Sequence, residues 1–529
     1  VGDIGPTSKM LSMSEDVNDP ASRAVTFDQV EAAYLQQMRV LLECRVDAVL
    51  VETIFDTLNA KAAISAFIKA KEEFANDEYV PEIMLSMTVS DSSGRTLSGQ
   101  TIEAFVISVE HCSPLSLGLN CGLGASGMLP YLRQMSRAAS CFISCHPNAG
   151  LPNQFGTYDD TPDMMVGQMR SFISENLANI IGGCCGTTPA HIAAMRQLID
   201  EGGKPHAVHG ISLTAHRLSG LEPSIVDDST FFNVGERCNV AGSRKFLRLI
   251  SEKNYDEALD IARKQVDDGA MAIDINMDDG LLDAKAEMRE FVNLLASDPE
   301  ISKVPLMIDS SRFDVIEEGL KCCQGKCIVN SISLKMGEEE FLAHAKVVKR
   351  LGAAIIVMCF DEDGQATDYE HRVKICSRAY ELLTQTVGFN PSDIIFDPNV
   401  LTIATGIAEH NNYAFDFIRA TDWIHTNLPG ARVSGGLSNL SFAFRGNNLL
   451  RESMHAVFLY HAIQKGMSMA IMNPATAVAY QDIPADLRKA IEDVVLNIYP
   501  EATERLTEFA AEMLAEKERQ KLAKENGVA

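Results

Sequence analysis

Short apolar segments rich in β-branched residues alternate with amphipathic helical segments along almost the whole chain. This alternation is typical of βα units around a parallel sheet, because parallel strands need a crossover connection that is usually a helix. Strand segments in the first part are predicted at Val1–Thr7, Asp47–Thr53, Glu82–Ser90, Ser116–Cys121, Cys141–Asn148 and Asn179–Gly186. The pattern therefore predicts an α/β fold.

The second part of the chain repeats the same pattern with a larger set of strands. These are predicted at Phe231–Asn239, Met271–Met277, Pro305–Ser311, Cys327–Ser333, Ala353–Phe360, Asp393–Asn399, Ala431–Asn439 and Ser468–Asn473. Helical segments fill the gaps, and Glu338–Leu351 places Phe341, Ala345, Val348 and Leu351 on one face. Eight βα units favour a closed (β/α)₈ TIM barrel, with a doubly wound open sheet as the alternative.

Two TIM barrels in tandem are consequently expected, and the first has fewer strands than a barrel needs. Because six strands are predicted before residue 200, we expect its N-terminal two βα units to be lacking in this chain. The periodicity fades around Gly202–Pro205 and Leu221–Ser224. The predicted organisation is a truncated first barrel at 1–205, a linker at 206–230, a second barrel at 231–500 and a charged, exposed helix at 501–529.

Charge and cysteine usage narrow the function classes. The formal net charge of -26 argues against nucleic acid as a partner, since phosphate binding needs clustered Lys and Arg. No apolar run is long enough to span a membrane, so no membrane partner is expected. The 13 cysteines are unaccompanied by a signal peptide and predict a reducing, cytoplasmic location.

Three of these cysteines stand where two predicted strands end. Cys121 closes LGLNC, and Cys184 and Cys185 close IIGGCCG. The carboxyl ends of barrel strands share one rim, so the three thiolates can form a Zn²⁺ site with an open fourth position. Buried packing is the alternative, because cysteine is commonly buried. In a second group, Cys322 and Cys323 sit at a helix end before the strand that Cys327 begins, which is the wrong rim for a barrel site, so this group is assigned to packing or chance.

The segments around these cysteines resemble the homocysteine-binding domain of cobalamin-dependent methionine synthases. The resemblance is carried by VGDIGPT at Val1–Thr7, VETIFDTLNAKAA at Val51–Ala63, GLNC at Gly118–Cys121, HPNAGLPN at His146–Asn153 and GGCCGTTPAHI at Gly182–Ile192. It implies zinc ligation by Cys121, Cys184 and Cys185, with the homocysteine thiolate as fourth ligand. It also implies that Glu52 contacts the substrate amino group; a rim hydrogen-bond network is the alternative role.

Polar side chains also collect at strand ends in the second part. Asp309, Asn330, Asp397 and Asn439 end four predicted strands, and Arg445 and Arg451 follow. Carboxylates and amides converging on one rim suit a flat heterocycle with several N–H donors and acceptors. Each residue alone is also an ordinary turn former.

Further motifs resemble the pterin-binding domain of the same family. They are FNVGERCNVAGSRKF at Phe232–Phe246, DINMDDGLLD at Asp274–Asp283, FDEDGQA at Phe360–Ala366, DPNVLTIATG at Asp397–Gly406 and SGGLSNLSFAFRG at Ser434–Gly446. The resemblance implies that Gly242, Ser243 and Arg244 line a folate site. It implies that folate is contacted by Asp309, Asn330, Asp397, Asn439, Arg445 and Arg451.

The implied reaction moves a methyl group from 5-methyltetrahydrofolate through cobalamin to zinc-bound homocysteine, giving methionine and tetrahydrofolate. The methyl leaves N5 only if N5 gains a proton or a strong hydrogen bond. We expect Asn439 to orient and stabilise protonated N5, and Asp309 to act with it at the reacting centre.

The cobalamin module is expected outside this chain, in cis or in trans, because no D-x-H-x-x-G segment is present. Four alternatives stay open. They are folate-to-corrinoid methyl transfer only, a cobalamin-independent thiol methyltransferase, a dihydropteroate-synthase-like enzyme, and a non-catalytic metal- and pterin-binding fragment.

Overall fold

The computed structural model describes residues 1–76, 78–210, 215–227, 229–476 and 478–525, and these form two parallel α/β units. In the first, the strands are β1 (Gly2–Ile4), β2 (Ala48–Ile54), β3 (Glu82–Met87), β4 (Ser116–Gly124), β5 (Phe142–Asn148) and β6 (Ile180–Ile181). They pair in sequence order as a six-stranded parallel sheet within the described residues. All six predicted strands are present, and the sheet is open between β1 and β6 in these residues.

The connection between the two units contains a hairpin that the fading periodicity did not predict. Its strands are β7 (His216–Ser219) and β8 (Pro223–Val226), paired antiparallel. Residues 211–214 and 228 of the predicted linker lie outside the described residues.

The second unit is a nearly closed parallel barrel. Its strands are β9 (Phe232–Asn239), β10 (Ala272–Asn276), β11 (Leu306–Asp309), β12 (Ile328–Ile332), β13 (Ala354–Met358), β16 (Ile394–Asp397), β17 (Arg432–Val433) and β18 (Met469–Met472). A small hairpin, β14 (Phe360–Asp361) and β15 (Gly364–Gln365), follows β13. β18 pairs with β9, and the amides of Ser468 and Ile471 donate to the carbonyls of Val433 and Gly435. These bonds close the barrel, so the TIM-barrel prediction is confirmed and the open-sheet alternative is wrong for this unit.

Helices lie between successive strands, as the alternation predicted. In the first unit they are α1 (Phe27–Glu43), α2 (Thr57–Phe74), α3 (Ile102–Val109), α4 (Ala125–Ala138), α5 (Pro162–Ser174) and α6 (Pro189–Asp200). In the second they are α7 (Arg244–Ser251), α8 (Tyr255–Asp267), α9 (Ala284–Ser297), α10 (Pro299–Ser302), α11 (Phe313–Leu320), α12 (Glu338–Arg350), α13 (Tyr369–Glu381), α14 (Tyr413–Asn427), α15 (Asn448–Ile463) and α16 (Ala485–Val495), followed by α17 (Ala502–Glu525). α12 buries the predicted stripe of Phe341, Ala345 and Val348.

Two sequence predictions need correction. The strand predicted at Ala431–Asn439 ends at Val433, and a 3-10 helix, Leu437–Phe444, carries Asn439. The Gly435–Gly436 pair explains the change, because glycine weakens a strand and permits a sharp change of direction. The C-terminal helix is not wholly exposed: Ala502, Leu506 and Ala510 are buried at four-residue spacing, in a helix that packs on α16.

The hairpin β7–β8 plugs the amino-terminal end of the second barrel. Leu218 and Val226 join a buried apolar cluster with the first residues of several strands, including Phe232, Ala272 and Met469. Burial of this apolar surface fixes the hairpin against the barrel floor. The polar ends of the strands are therefore left to the opposite, carboxyl-terminal rim.

Buried charges join the two units. Lys326 Nζ lies 3.2 Å from Glu110 Oε1 and 2.8 Å from Asp393 Oδ1, and Arg217 Nη1 lies 2.9 Å from Glu110 Oε2. The Lys326 side chain is only 3% exposed, so these pairs are shielded from solvent. Lys61, which is fully buried on α2, donates to the carbonyls of Cys323 and Gly325, both at 3.0 Å.

None of the helices that the structure describes combines the length and apolarity needed to cross a bilayer.

Candidate functional site

The three cysteines predicted to bind zinc come together at the carboxyl-terminal rim of the first sheet. Cys121 lies near the end of β4, and Cys184 and Cys185 follow β6. The Sγ atom of Cys185 lies 3.8 Å from that of Cys121 and 4.0 Å from that of Cys184. All three sulfur atoms lie within 4.8 Å of one another and are half-buried. The sequence prediction of their convergence is thus met by the geometry.

A tight backbone turn presents Cys121 to the other two cysteines. Cys121 and Gly122 both adopt left-handed φ angles, of 58° and 69°. A Cβ on residue 122 would lie 2.5 Å from the carbonyl oxygen of Val89, so a side chain at this position requires backbone movement. Glycine at 122 therefore permits the turn that aims the Cys121 sulfur into the cluster.

Neighbouring polar groups orient the sulfur atoms. The Asn120 amide lies 3.9 Å from the Cys184 sulfur, and Asn148 accepts the backbone N–H of Cys185 at 3.0 Å. The hydrogen bond from Cys184 is the main cause that lowers the pKa of Cys121, whereas the same contact raises the pKa of Cys184. The three sulfur atoms are thus electrostatically coupled through their mutual hydrogen bonds.

The donor set fits zinc. Three sulfur ligands at about 2.3 Å from a tetrahedral ion lie about 3.8 Å from one another, close to the observed separations. Residues that would hold Zn²⁺ are therefore Cys121, Cys184 and Cys185, which leaves the fourth tetrahedral position for another ligand.

Glu52, the predicted amino-group contact, lies on β2. Burial is the largest cause that raises its pKa, followed by the negative charges of Asp3 and Cys121. Glu52 lines a small pocket with Pro6 and Tyr34, within electrostatic range of Cys121. Its proposed contact with a substrate stays a prediction.

A cavity of about 940 Å³ opens at the carboxyl-terminal rim of the second barrel. Most of the predicted folate residues line it, and these are Gly242, Arg244, Asp309, Asn330, Asp397, Asn439, Arg445 and Arg451. Ser243 instead caps α7, where its hydroxyl accepts the backbone N–H of Phe246 at 3.2 Å. The structure therefore gathers the predicted residues around one cavity, with Ser243 in a supporting position beside it.

Two buried carboxyl groups share an amide at the floor of this cavity. Asn239 Nδ2 lies 3.3 Å from Asp274 Oδ2 and 3.3 Å from Asp309 Oδ2. Burial raises the pKa of Asp274 to about 7, and burial together with the charge of Asp274 raises the pKa of Asp309. This pair can therefore hold a proton near neutral pH, while two ionised carboxylates would repel each other.

Asp397 ends β16 and faces the same cavity. Burial raises its pKa to about 6, while the backbone N–H of Asn399 and the charge of Arg372 oppose this rise. The carboxyl group is consequently ionised for the most part at pH 7, as an acceptor for N–H donors of a ligand.

A hydrogen-bond chain fixes Arg451 at the cavity wall. Arg451 Nε donates to Ser441 Oγ at 2.9 Å, and Ser441 Oγ lies 2.8 Å from His455 Nε2. Burial and the charge of Arg451 lower the pKa of His455 to about 4, so the ring is neutral at pH 7. Ser441 therefore accepts from Arg451 and links it by a second hydrogen bond to the neutral ring of His455.

Arg445 and Asn439 stand on the irregular segment that follows β17. The Arg445 guanidinium lies 4.3 Å from the centre of the Phe442 ring, a cation–π contact that orients it beside the cavity. Asn439 occupies the 3-10 helix, and its carbonyl accepts the Thr402 hydroxyl at 2.9 Å. Asn439 thus reaches the cavity from a helical turn, although a strand end was predicted.

Sequence reasoning missed several residues of this cavity. Glu236, Asn239, Asp274 and His455 also line it. The first two stand in β9, and Asp274 is the third residue of β10. Asp274 could have been found as a carboxylate between the apolar residues of β10, because burial of such a group needs a partner, and Asn239 as a polar residue that ends β9.

Asp361, Asp363 and His371 form a second group of potential metal ligands. His371 Nε2 lies 2.9 Å from Asp361 Oδ1. Lys374 Nζ lies 3.8 Å from Asp361 and 3.6 Å from Asp363, and so already supplies positive charge to both carboxylates. These residues therefore form a group of ion pairs between the β14–β15 hairpin and α13.

Several solved structures are similar to parts of this chain. Dihydropteroate synthase from Clostridium difficile is 19% identical, covering 52% of this chain and 98% of that one, with a TM-score of 0.36. Dihydropteroate synthase from Thermus thermophilus is also 19% identical over 52% of this chain and 97% of its own, with a TM-score of 0.34. The homocysteine methyltransferase MmuM from Escherichia coli is 20% identical, covering 37% of this chain and 62% of that one, with a TM-score of 0.26.

Family models match both units of the chain. Residues 1–199, which include the three cysteines, match the homocysteine S-methyltransferase family. Residues 235–473, which include the cavity of the second barrel, match the pterin binding enzyme family. The two models match successive segments of the chain, which indicates an enzyme, and this arrangement fits a methionine-synthase-like architecture.

Proposed function

We propose that this chain activates both substrates for methyl transfer from 5-methyltetrahydrofolate to homocysteine, in the manner of a cobalamin-dependent methionine synthase. The products are tetrahydrofolate and methionine. The observation that carries the proposal is the group of three cysteine sulfurs with tetrahedral spacing, on the same chain as a polar barrel cavity in a pterin-binding segment.

The first segment is proposed to bind the homocysteine thiol beside Cys121, Cys184 and Cys185. Zinc held by these residues would supply a Lewis-acid position at which a substrate thiol stays deprotonated near neutral pH. Asn120 and Asn148 orient the sulfur ligands through the contacts described above. Glu52 would accept a hydrogen bond from the substrate amino group.

The second segment is proposed to bind the pterin ring flat in the cavity of the barrel. Asp309, Asn330 and Asp397 supply acceptors and donors for the edge of the ring. Arg244, Arg445 and Arg451 supply positive charge at the same rim for the carboxylates of folate.

Departure of the methyl group from N5 requires a proton or a strong hydrogen bond at that atom. Asn439 is proposed to orient N5 through its side-chain amide, which cannot itself act as a strong acid. The Asp274–Asp309 pair can hold a proton near pH 7 because burial raises both pKa values. The pair is therefore the proposed proton reserve for N5.

The methyl group needs a carrier between the two sites. Every residue that lines the pterin cavity lies within 236–476, whereas the three cysteines belong to the first sheet. Cobalamin on a cobalamin-binding domain, in cis or in trans, is the proposed carrier, and it would supply the nucleophilic metal centre that accepts the methyl group.

Folate-to-corrinoid methyl transfer alone is the second candidate. It is favoured by the contrast between the nearly closed second barrel and the open first sheet of the described residues. In this case the chain would use only its pterin cavity.

Two separate assays test the proposal with free cofactor. One supplies 5-methyltetrahydrofolate and cob(I)alamin, and the other supplies methylcobalamin and homocysteine. Activity in both supports the full proposal, and activity in the first alone supports the second candidate. Activity in neither assay, together with equal zinc content in wild type and a Cys184→Ala variant, would contradict both the full proposal and the second candidate.

A further inference from the structure

Arg372 is the largest side chain that is completely buried in the described part of the chain. It lies on α13, and its guanidinium donates to backbone carbonyls. Nε donates to Pro398 at 2.7 Å, Nη2 to Asn399 at 3.2 Å and Nη1 to Tyr413 at 3.3 Å. Because removing a guanidinium from water is costly, Arg372 needs these three carbonyl partners at fixed positions.

Two of these carbonyls belong to the turn that directly follows Asp397. Asn399 has a left-handed φ of 65°, and its backbone N–H donates to Asp397 Oδ1 at 2.8 Å. The turn thus bends back on the carboxylate that faces the pterin cavity. Any movement of Pro398 or Asn399 would alter the position of that carboxylate.

The opposite side of the turn is held by the Asn399 side chain. Its Nδ2 donates to the carbonyl of Cys359 at 2.7 Å, just after β13. Asn399 is 5% exposed, so this bond is protected from water. The turn is consequently clamped between α13 on one side and the end of β13 on the other.

The charge of Arg372 also acts on the groups packed around it. Burial lowers the pKa of Arg372. Nearby acidic groups oppose this effect, namely Cys359, Asp416 on α14, Asp397 on β16 and Asp368 at the start of α13. In return, Arg372 opposes the rise in the pKa of Asp397 that burial causes. Asp397 also contributes to the raised pKa of the buried Cys376, after burial and the contact with Cys359.

We propose that Arg372 is a positioning residue for the pterin site, which fixes the Asp397–Asn399 turn and places a buried positive charge close to the Asp397 carboxylate. The inference rests on the proposed pterin-binding function of this cavity. Arg372 does not line the cavity and acts on the ligand only through Asp397.

The test compares three variants of the full chain, Arg372→Met, Arg372→Lys and the control Arg378→Met. Arg378 lies on the same helix but pairs with Glu338 and Glu362 at the surface. The first readout needs no ligand: the pKa of Asp397 by carbon-13 NMR of carboxyl-labelled aspartate, with Asp397→Asn identifying the signal. The second is the affinity for 5-methyltetrahydrofolate between pH 5 and pH 8.

Arg372→Met removes both the charge and the hydrogen bonds. The pKa of Asp397 should rise by about one unit, and folate affinity at pH 7 should fall by about tenfold and partly recover at pH 8. Arg372→Lys keeps the charge but not the planar fork, so the affinity should fall without the shift in pKa. Arg378→Met should change neither quantity.

Asn399→Gly tests the clamp without touching Arg372, and it serves if Arg372→Met does not fold. Glycine accepts the left-handed φ but removes the bond to Cys359, so folate affinity should fall while the pKa of Asp397 stays within about half a unit of the wild type.

An unchanged pKa of Asp397 in folded Arg372→Met, or folate affinity within about twofold of the wild type in both Arg372 variants, would overturn the inference. If the wild-type chain binds no folate, the proposed function fails. The NMR titration then still decides whether Arg372 controls the ionisation of Asp397.

Discussion

Cys121 and Cys185 are separated by 64 residues of sequence, yet their sulfur atoms lie 3.8 Å apart. With Cys184 they match the sulfur spacing of a tetrahedral zinc ion, so we expect the purified chain to contain about one zinc ion. Cys184→Ala should lose most of it, because two sulfur ligands hold zinc more weakly. Elemental analysis after dialysis measures the metal content.

Cys44→Ser is the matched control for this prediction. Cys44 is exposed and does not belong to the sulfur group, so its replacement should leave the zinc content unchanged. Equal zinc content in wild type and Cys184→Ala would contradict the proposed ligand set.

Asn439→Ala should slow methyl transfer from the pterin cavity. The variant loses the amide proposed to orient N5, and we expect the single-turnover rate with cob(I)alamin to fall by about tenfold to a hundredfold with a smaller change in folate affinity. Asn427→Ala, which changes an exposed amide at the end of α14, is the control. A rate for Asn439→Ala within about a factor of two of the wild type would remove Asn439 from the mechanism.

Asp274 should make the stability of the chain depend on pH. Its pKa is raised to about 7 from an ordinary value of 3.8, mainly by burial, so the folded state binds the proton more tightly than the unfolded state. The associated stability is fully present below about pH 4 and is lost as the pH rises through about 7. The free energy of unfolding of Asp274→Asn, relative to wild type, should therefore increase from pH 5 to pH 8.

Urea unfolding of both proteins at several pH values measures this difference. Asp227→Asn is the control, since Asp227 is an exposed loop residue whose pKa is lowered by its hydrogen bonds with Ser229. A difference between Asp274→Asn and wild type that is constant with pH would show that Asp274 is not the proton-binding group.

Lys326→Met should destabilise the junction of the two units. It leaves Glu110 and Asp393 as neighbouring buried carboxylates without their shared cation. Breaking such a buried pair typically costs about 3–5 kcal/mol in the free energy of unfolding. Arg39→Ala breaks an exposed pair with Glu73 and should have a much smaller effect. Denaturant unfolding compares the two, and equal effects would mean that the junction does not depend on Lys326.

The strands of both units could be predicted because apolar periodicity reflects burial of each strand. The order of the strands followed from the alternation of strands and helices, because consecutive βα units usually place their strands side by side. The β7–β8 hairpin could not be predicted in this way. Its apolar residues Leu218 and Val226 cover the end of the second barrel, and this long-range contact leaves no periodic pattern in the sequence. The segment carrying Asn439 was assigned to a strand because the sequence does not show that the chain changes direction at Gly435 and Gly436.

The candidate sites were predictable only in part. Strand-end residues such as Asp309 and Asp397 were visible as polar residues that close apolar runs. Asp274 was hidden within an apolar run, because its partners Asn239 and Asn330 come from two other strands, β9 and β12. The support of Asp397 by Arg372 was equally invisible, because it depends on how α13 packs over the turn after β16.

The β7–β8 hairpin closes one end of the second barrel and so limits the order in which ligands can enter and leave. With Leu218 and Val226 closing the amino-terminal end, the cavity communicates with solvent at the opposite rim. In the proposed reaction, folate entry, approach of the methyl acceptor and release of the demethylated product would then use this one opening in turn. A methyl acceptor that stays docked would trap the spent folate, so its departure is expected to gate the exchange of one folate molecule for the next.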